Sequence, residues 1–315
     1  MDYKNTVDLL RDLGGNGQSL RRVRFVTPVL SVCLAGAFSD GRIASERIDF
    51  AEDAMGYAEN NCLRHLLKQS TDKPKPGPAV GRTYCQLSTL VYAEEVHTCN
   101  RTIGRLLSQQ LEGCRNANLI KATIGVVGEL HDNVTSHSLG RGFSAAQVYR
   151  GHRKNISIAI ADVGCGFGGS IRRAGLDLDD EKAIKWCLVR GNTRVKLPKH
   201  HKPGLDHDIW PQRLPDDCLI SPYPPDVPTT SKDSHHMGEG LFRLTELIRS
   251  TGGSVWIWSG NSQILCGRDA PVTIPCDVEW KGTVIEIEIP IDAFQQSPPA
   301  KDREAFKEIA RKLGI

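Results

Sequence analysis

Apolar positions along this chain follow two rhythms. Between residues 119 and 138, Ile120, Ile124, Val127 and Leu130 recur at three- and four-residue spacing, the period of one helix face. The same rhythm predicts helices over 29–38, 43–69, 180–189, 241–250 and 301–313, and another carrying Ile103, Leu106, Leu107 and Leu111. Alternating or continuous apolar runs predict strands at 22–26, 87–92, 145–149, 156–161, 254–259, 263–265 and 283–289. The last reads Val284, Ile285, Glu286, Ile287, Glu288, Ile289 in strict order.

Breaks in these rhythms suggest the domain boundaries. Strand, helix and further helix within residues 1–75 read as a small α/β domain. Residues 71–81 are rich in Pro, Gly and Lys, as linkers are, and 76–115 read as linker and connecting helix. Residues 116–295 form the main domain, and 296–315 a C-terminal helix. Within the main domain, the stretch from 191 to 234 holds eight of the seventeen prolines and little periodicity. A loop of that length inside a domain is expected to act as a lid, placed at 191–236.

Four motifs carry candidate chemistry. Glu129, Asn133 and His137 stand four residues apart and share a helix face. Asn133 offers a hard neutral oxygen suited to Mg²⁺, which otherwise keeps waters and phosphate oxygens. Glu129 can orient or deprotonate a nucleophile, against the plainer reading of a solvated helix charge. His137 can touch phosphate or cap the helix end. Asp162-Val-Gly164-Cys-Gly166 follows a buried strand, where a carboxylate must find donors and glycines let the backbone turn closely. Gly238-Glu-Gly240-Leu241 opens a helix whose exposed N–H groups suit an anion, with His235 and His236 just before it. Gly282-Thr283 begins the last strand.

In order and spacing these motifs resemble the ATP-binding module of histidine kinases, DNA gyrase, MutL and the anti-sigma-factor serine kinases, the GHKL or HATPase superfamily. The resemblance spans roughly residues 116–290. It implies a Bergerat-type α+β two-layer sandwich with a mixed, mainly antiparallel sheet covered by helices on one face. It implies ATP and Mg²⁺ as ligands, with Glu129 as catalytic base and Asn133 on the metal. His137, His236, Gly238, Gly240 and Leu241 would lie near the phosphates. Asp162, Gly164, Gly166 and Thr283 would lie near adenine. The N-terminal domain faintly resembles the STAS-type domains that partner some kinases of this superfamily.

Several activities within the superfamily fit the chain poorly. No phosphoacceptor histidine followed by an acid and a proline is present, since His65 lacks both. About 25 residues follow Pro290, too few for a transducer domain of the gyrase or MutL kind. The function expected is an ATPase that switches a partner through nucleotide-dependent lid ordering. The alternatives are a kinase acting in trans on a serine or histidine, and a nucleotide-binding module without hydrolysis. A regulatory protein partner is implied, and pairing of two copies is common in the superfamily.

Composition narrows the setting. The net charge of +3 is weak and spread out, so it points neither toward nor away from nucleic acid. No run of about 18 apolar residues predicts a membrane span, and the polar start is unlike a signal peptide. Ten scattered cysteines, none in a Cys-x-x-Cys pair, read as reduced thiols in a cytoplasm. The resemblance implies a bacterial cytoplasmic regulator. His200, His201, His207 and Cys218 match no zinc spacing and read as lid surface.

Overall fold

The computed structural model describes residues 3–14, 20–71, 79–138, 140–151, 154–173, 175–189 and 240–295. The N-terminal part runs α1 (Tyr3–Gly14), β1 (Arg21–Val23), α2 (Pro28–Ser39), β2 (Ile48–Phe50), α3 (Glu52–Asn60) and α4 (Leu63–Leu66). Then come β3 (Tyr84–Leu90), α5 (Ala93–Gln110), α6 (Ala117–His137), β4 (Gly142–Tyr149), β5 (Asn155–Asp162), α7 (Gly166–Arg173) and α8 (Asp180–Cys187). The chain closes with α9 (Gly240–Thr251), β6 (Ser254–Gly260), β7 (Ser262–Cys266), β8 (Val272–Ile274), β9 (Trp280–Pro290) and α10 (Asp292–Gln295).

Among the described residues β1 and β2 form a small parallel pair, and seven strands form the main sheet in the order β3-β4-β5-β9-β6-β7-β8. Every pairing in the main sheet is antiparallel, which corrects the expectation of a mixed sheet. Residues 84–90, which the sequence places in a connecting segment, supply its edge strand β3.

The sheet is covered on both faces, which corrects the expectation of helices on one face. Strand residues alternate between two cores, as the pleat requires. Ile156, Ile158, Ile160, Val255, Ile257, Ile285 and Ile287 pack with α5, α6 and α9. Ala145, Ala159, Ala161, Trp256, Trp258, Trp280 and Val284 pack with α1, α2 and the N-terminal segment. The two faces differ in kind. Small alanines on β4 and β5 let α2 lie close, while tryptophans fill the space beside it on β6 and β9.

Helix α2 explains why the second layer exists. Ten of its twelve residues are buried, so it lacks a solvent face and must be covered on all sides. It starts one residue before the expected position 29. Thr27 accepts a hydrogen bond from Leu30 N–H (3.2 Å) and Pro28 takes the first helical position. Trp256 and Trp258 are fully buried on that face. Tyr3 stacks on Trp256 with ring centroids 5.2 Å apart, tying α1 to β6.

One long helix expected over 43–69 is broken. Ile48 to Phe50 pair in parallel with Arg21 to Val23, and the chain turns at Cys62 with φ of 66°. Asn61 supports that turn. Its side chain donates to Ser31 Oγ (2.9 Å) and accepts from Leu87 N–H (2.8 Å), joining α2 to β3. The C-terminal helix expected within 296–315 and the lid expected at 191–236 lie outside the described residues. No disulfide joins the described cysteines. Among the described residues no helix is long and apolar enough to cross a membrane.

Candidate functional site

Helix α6 positions most of the site. Asn116 caps it by accepting from Leu119 N–H (3.1 Å), and its apolar stripe buries Leu119, Val126, Val127 and Leu130 against the sheet. That orientation brings Glu129 and Asn133 to the start of α9. A Cβ added at Gly240 would lie 3.1 Å from Glu129 Oε2 and 3.6 Å from Asn133 Nδ2. A helix start, a carboxylate and a half-buried amide therefore meet at one point.

Glu129 is no solvated helix charge. It is buried and forms an ion pair with Arg243, which lies one turn into α9 and is equally buried. Sequence reasoning passed over Arg243. The available signal was a charge on the apolar stripe of α9, among Gly240, Leu244 and Leu247. Removing either partner of such a pair strands the other charge, at a typical cost of about 3–5 kcal/mol.

The second cluster surrounds Asp162. It sits at the end of β5, directly opposite Thr283 on β9. Gly164 N–H donates to Asp162 Oδ1 (2.8 Å), and the hydroxyl and N–H of Thr283 also donate to the carboxyl. Burial outweighs these donors and pushes the Asp162 carboxyl up to about 7. At neutral pH the group is poised to respond to any further donor.

Two glycines make this geometry possible. Gly282 has φ of 106°, and a Cβ there would come 2.2 Å from Asp162 O. At Gly164 a Cβ would come 1.8 Å from Ser138 O. Gly166 follows as the first residue of α7. The turn is held by Cys165 N–H donating to Ser138 O (2.9 Å), Trp280 Nε1–H donating to Asp162 O (2.9 Å), and Ser259 Oγ–H donating to Gly282 O (2.8 Å).

The two clusters are joined by the end of α6. Ser138, which touches the Gly164 turn, is five residues past Asn133, roughly 7–8 Å along a helix axis. His137 is the last residue of α6, on the same stretch. Leu241 is buried in the core beneath the start of α9. His236 and Gly238 lie outside the described residues, as do His200, His201, His207 and Cys218. Among the described residues no cluster of three His, Cys, Asp or Glu side chains is placed to hold a metal.

His131, which the sequence leaves without a role, is a fully buried strut between α5 and β4. Nδ1–H donates to Asn100 Oδ1 (2.5 Å), and Nε2 accepts from the Ser144 hydroxyl (2.8 Å). Burial pushes its pKa down to about 3. The unfolded chain protonates this imidazole below about 6.5 and the folded chain does not, so its contribution lowers stability as pH falls from 6.5 toward 3. At pH 5 the loss is about 2 kcal/mol. Asp162 acts with the opposite sign, since its raised pKa lowers stability as pH rises from 3.8 toward 7. Urea unfolding at pH 7 and pH 5, native chain against His131→Asn, isolates the histidine part. An equal pH response in both chains would show that His131 is not the neutral strut described.

No protein-family model, curated protein or solved structure matches the chain. The site therefore rests on its own geometry.

Proposed function

We propose that the protein binds ATP with Mg²⁺ through a Bergerat-type site and works as a nucleotide-operated switch with slow hydrolysis. The observation that carries this reading is the convergence of motifs far apart in sequence. Asn133 of α6 meets Gly240 at the start of α9, while Asp162 of β5 meets Thr283 of β9, and α6 links the two places.

The chemistry of each place suits one end of the nucleotide. A buried carboxyl already holding donors from Gly164 and Thr283 suits the amino group of adenine, a further donor. Gly282 and Gly164 let the backbone of β9 and the end of α6 close in around this carboxyl. The first turn of α9 presents N–H groups that lack helical partners, suited to phosphate oxygens. Asn133 would hold Mg²⁺ by its amide oxygen, and the metal would supply charge neutralisation for the phosphates. Glu129 would act as the base for a water at the terminal phosphate.

Calorimetric titration of ATP with and without Mg²⁺, together with phosphate release, tests the reading. The native chain is expected to bind ATP more tightly with Mg²⁺. Asn133→Ala is expected to lose that gain, by about tenfold or more, while retaining ADP binding without metal. Absence of any nucleotide binding by the native chain would sink the proposal.

A further inference from the structure

Arg243 lies outside all four motifs, yet it touches the residue placed as the base. Its guanidinium and the first residue of α9 close on the two oxygens of one carboxylate. Arg243 Nη1 pairs with Glu129 Oε1, and Gly240 abuts Glu129 Oε2. Both of these neighbours favour negative charge, the helix start through its unpaired N–H groups and its dipole, the guanidinium through its own charge. Without nucleotide, Glu129 is the anion that the guanidinium holds.

We infer that Arg243 is a triphosphate-sensing latch on Glu129, an inference that rests on the ATP-binding reading above. While paired, Glu129 is a poor base, because its lone pairs and charge are committed to a guanidinium that cannot give up a proton. The terminal phosphate of ATP carries more charge than one carboxylate and offers three oxygens. Arg243, within one helical turn of the α9 start, exchanges Glu129 for that phosphate. Glu129 is then released to take a proton from water. The water oxygen bonds the γ-phosphorus, the bond from that phosphorus to the bridging oxygen breaks, and its electron pair leaves with ADP. ADP lacks the terminal phosphate and leaves the latch closed. The pair thus couples release of the base to the presence of the correct substrate.

The test is the ratio of ATP to ADP affinity, measured on the full chain with Mg²⁺. Opening the pair subtracts from the apparent ATP affinity, since only the unlatched state binds ATP fully. Glu129→Gln weakens the pair in advance. It is therefore expected to raise ATP affinity about tenfold and leave ADP affinity within about twofold, with phosphate release lost. Arg243→Met is expected to lower the ATP preference over ADP by about tenfold, and Arg243→Lys to restore part of it. A pair that only supports the fold would move both affinities together.

If a lone charge prevents Glu129→Gln from folding, the double variant Glu129→Gln with Arg243→Met removes both charges and carries the same test. Loss of its ATP preference supports the latch. A native ATP preference in that chain, or no gain for ATP in a folded Glu129→Gln, overturns it. Native binding of both nucleotides with either of those results leaves the ATP-binding reading standing and removes only the latch. Absence of native nucleotide binding removes both.

Discussion

Asp162→Asn is expected to reduce ATP affinity at least about a hundredfold, measured by calorimetric titration. The donors of Gly164 and Thr283 already converge on this carboxyl. A carboxylate has oxygens enough to accept them and the adenine amino group together. An asparagine keeps one oxygen and turns an NH₂ toward a donor. Either the local donors or the adenine amino group then loses its acceptor, and sites built around buried hydrogen bonds reject such mismatches strongly.

The same carboxyl gives native binding a direction with pH. Its pKa is pushed up to about 7 by burial, and a donor on the ligand favours the ionised form. ATP affinity is expected to rise by roughly tenfold from pH 6 to pH 8, following the ionised fraction. An Asp162→Asn chain that binds ATP like the native one, or a native affinity flat over this range, would remove Asp162 from the adenine site.

Gly164→Ala is expected to destabilise the fold by about 3 kcal/mol or more and to abolish ATP binding with it. The added methyl would fall 1.8 Å from Ser138 O and 2.4 Å from Ser138 C. Both atoms are backbone at the end of α6, so no side chain can rotate away. Relief requires moving the helix end or the turn, which breaks the bond from Cys165 N–H to Ser138 O. Moving the helix end also disturbs Asn133. Thermal unfolding is the check, with a fall of about 5–10 °C expected. A Gly56→Ala control, at an exposed helix position where a Cβ meets nothing within 4 Å, should leave the midpoint unchanged or slightly raised. Equal midpoints for Gly164→Ala and native chains would mean that the close approach of α6 to this turn does not hold.

Much of the fold was legible in the sequence because its signals are local. The periodicity over 119–138 becomes α6 within two residues at its start. The helix expected over 29–38 becomes α2, and the alternation over 283–289 becomes the core of β9. The spacing of Glu129 and Asn133 on one helix face needs only the helical repeat. Where competing structure was non-local, the rhythm misled. Ile48 fits a helical stripe with Ala51 and Met55, yet it pairs with Arg21 across a strand contact that no local pattern records. Helix α7 carries only Phe167 and Ile171 as large apolar residues, too few for its pattern to stand out, whereas α1 shows Val7, Leu10 and Leu13 at helical spacing.

By itself the sequence determined the local elements and which residue types share a face or a turn, because residue type and helical or strand spacing are properties of short segments. Only the tertiary structure decided what surrounds them. It placed Arg243 on Glu129, across 114 positions of chain, and so joined the two in a buried ion pair. It set Thr283 against Asp162 and Trp280 beneath it, through strand register. It folded the N-terminal helices over the second face of the sheet, where α2 and the tryptophans complete one core. These are contacts between distant segments, settled by the burial of whole faces and the closure of hydrogen bonds across the sheet. A single segment's pattern holds no information about which partner satisfies it.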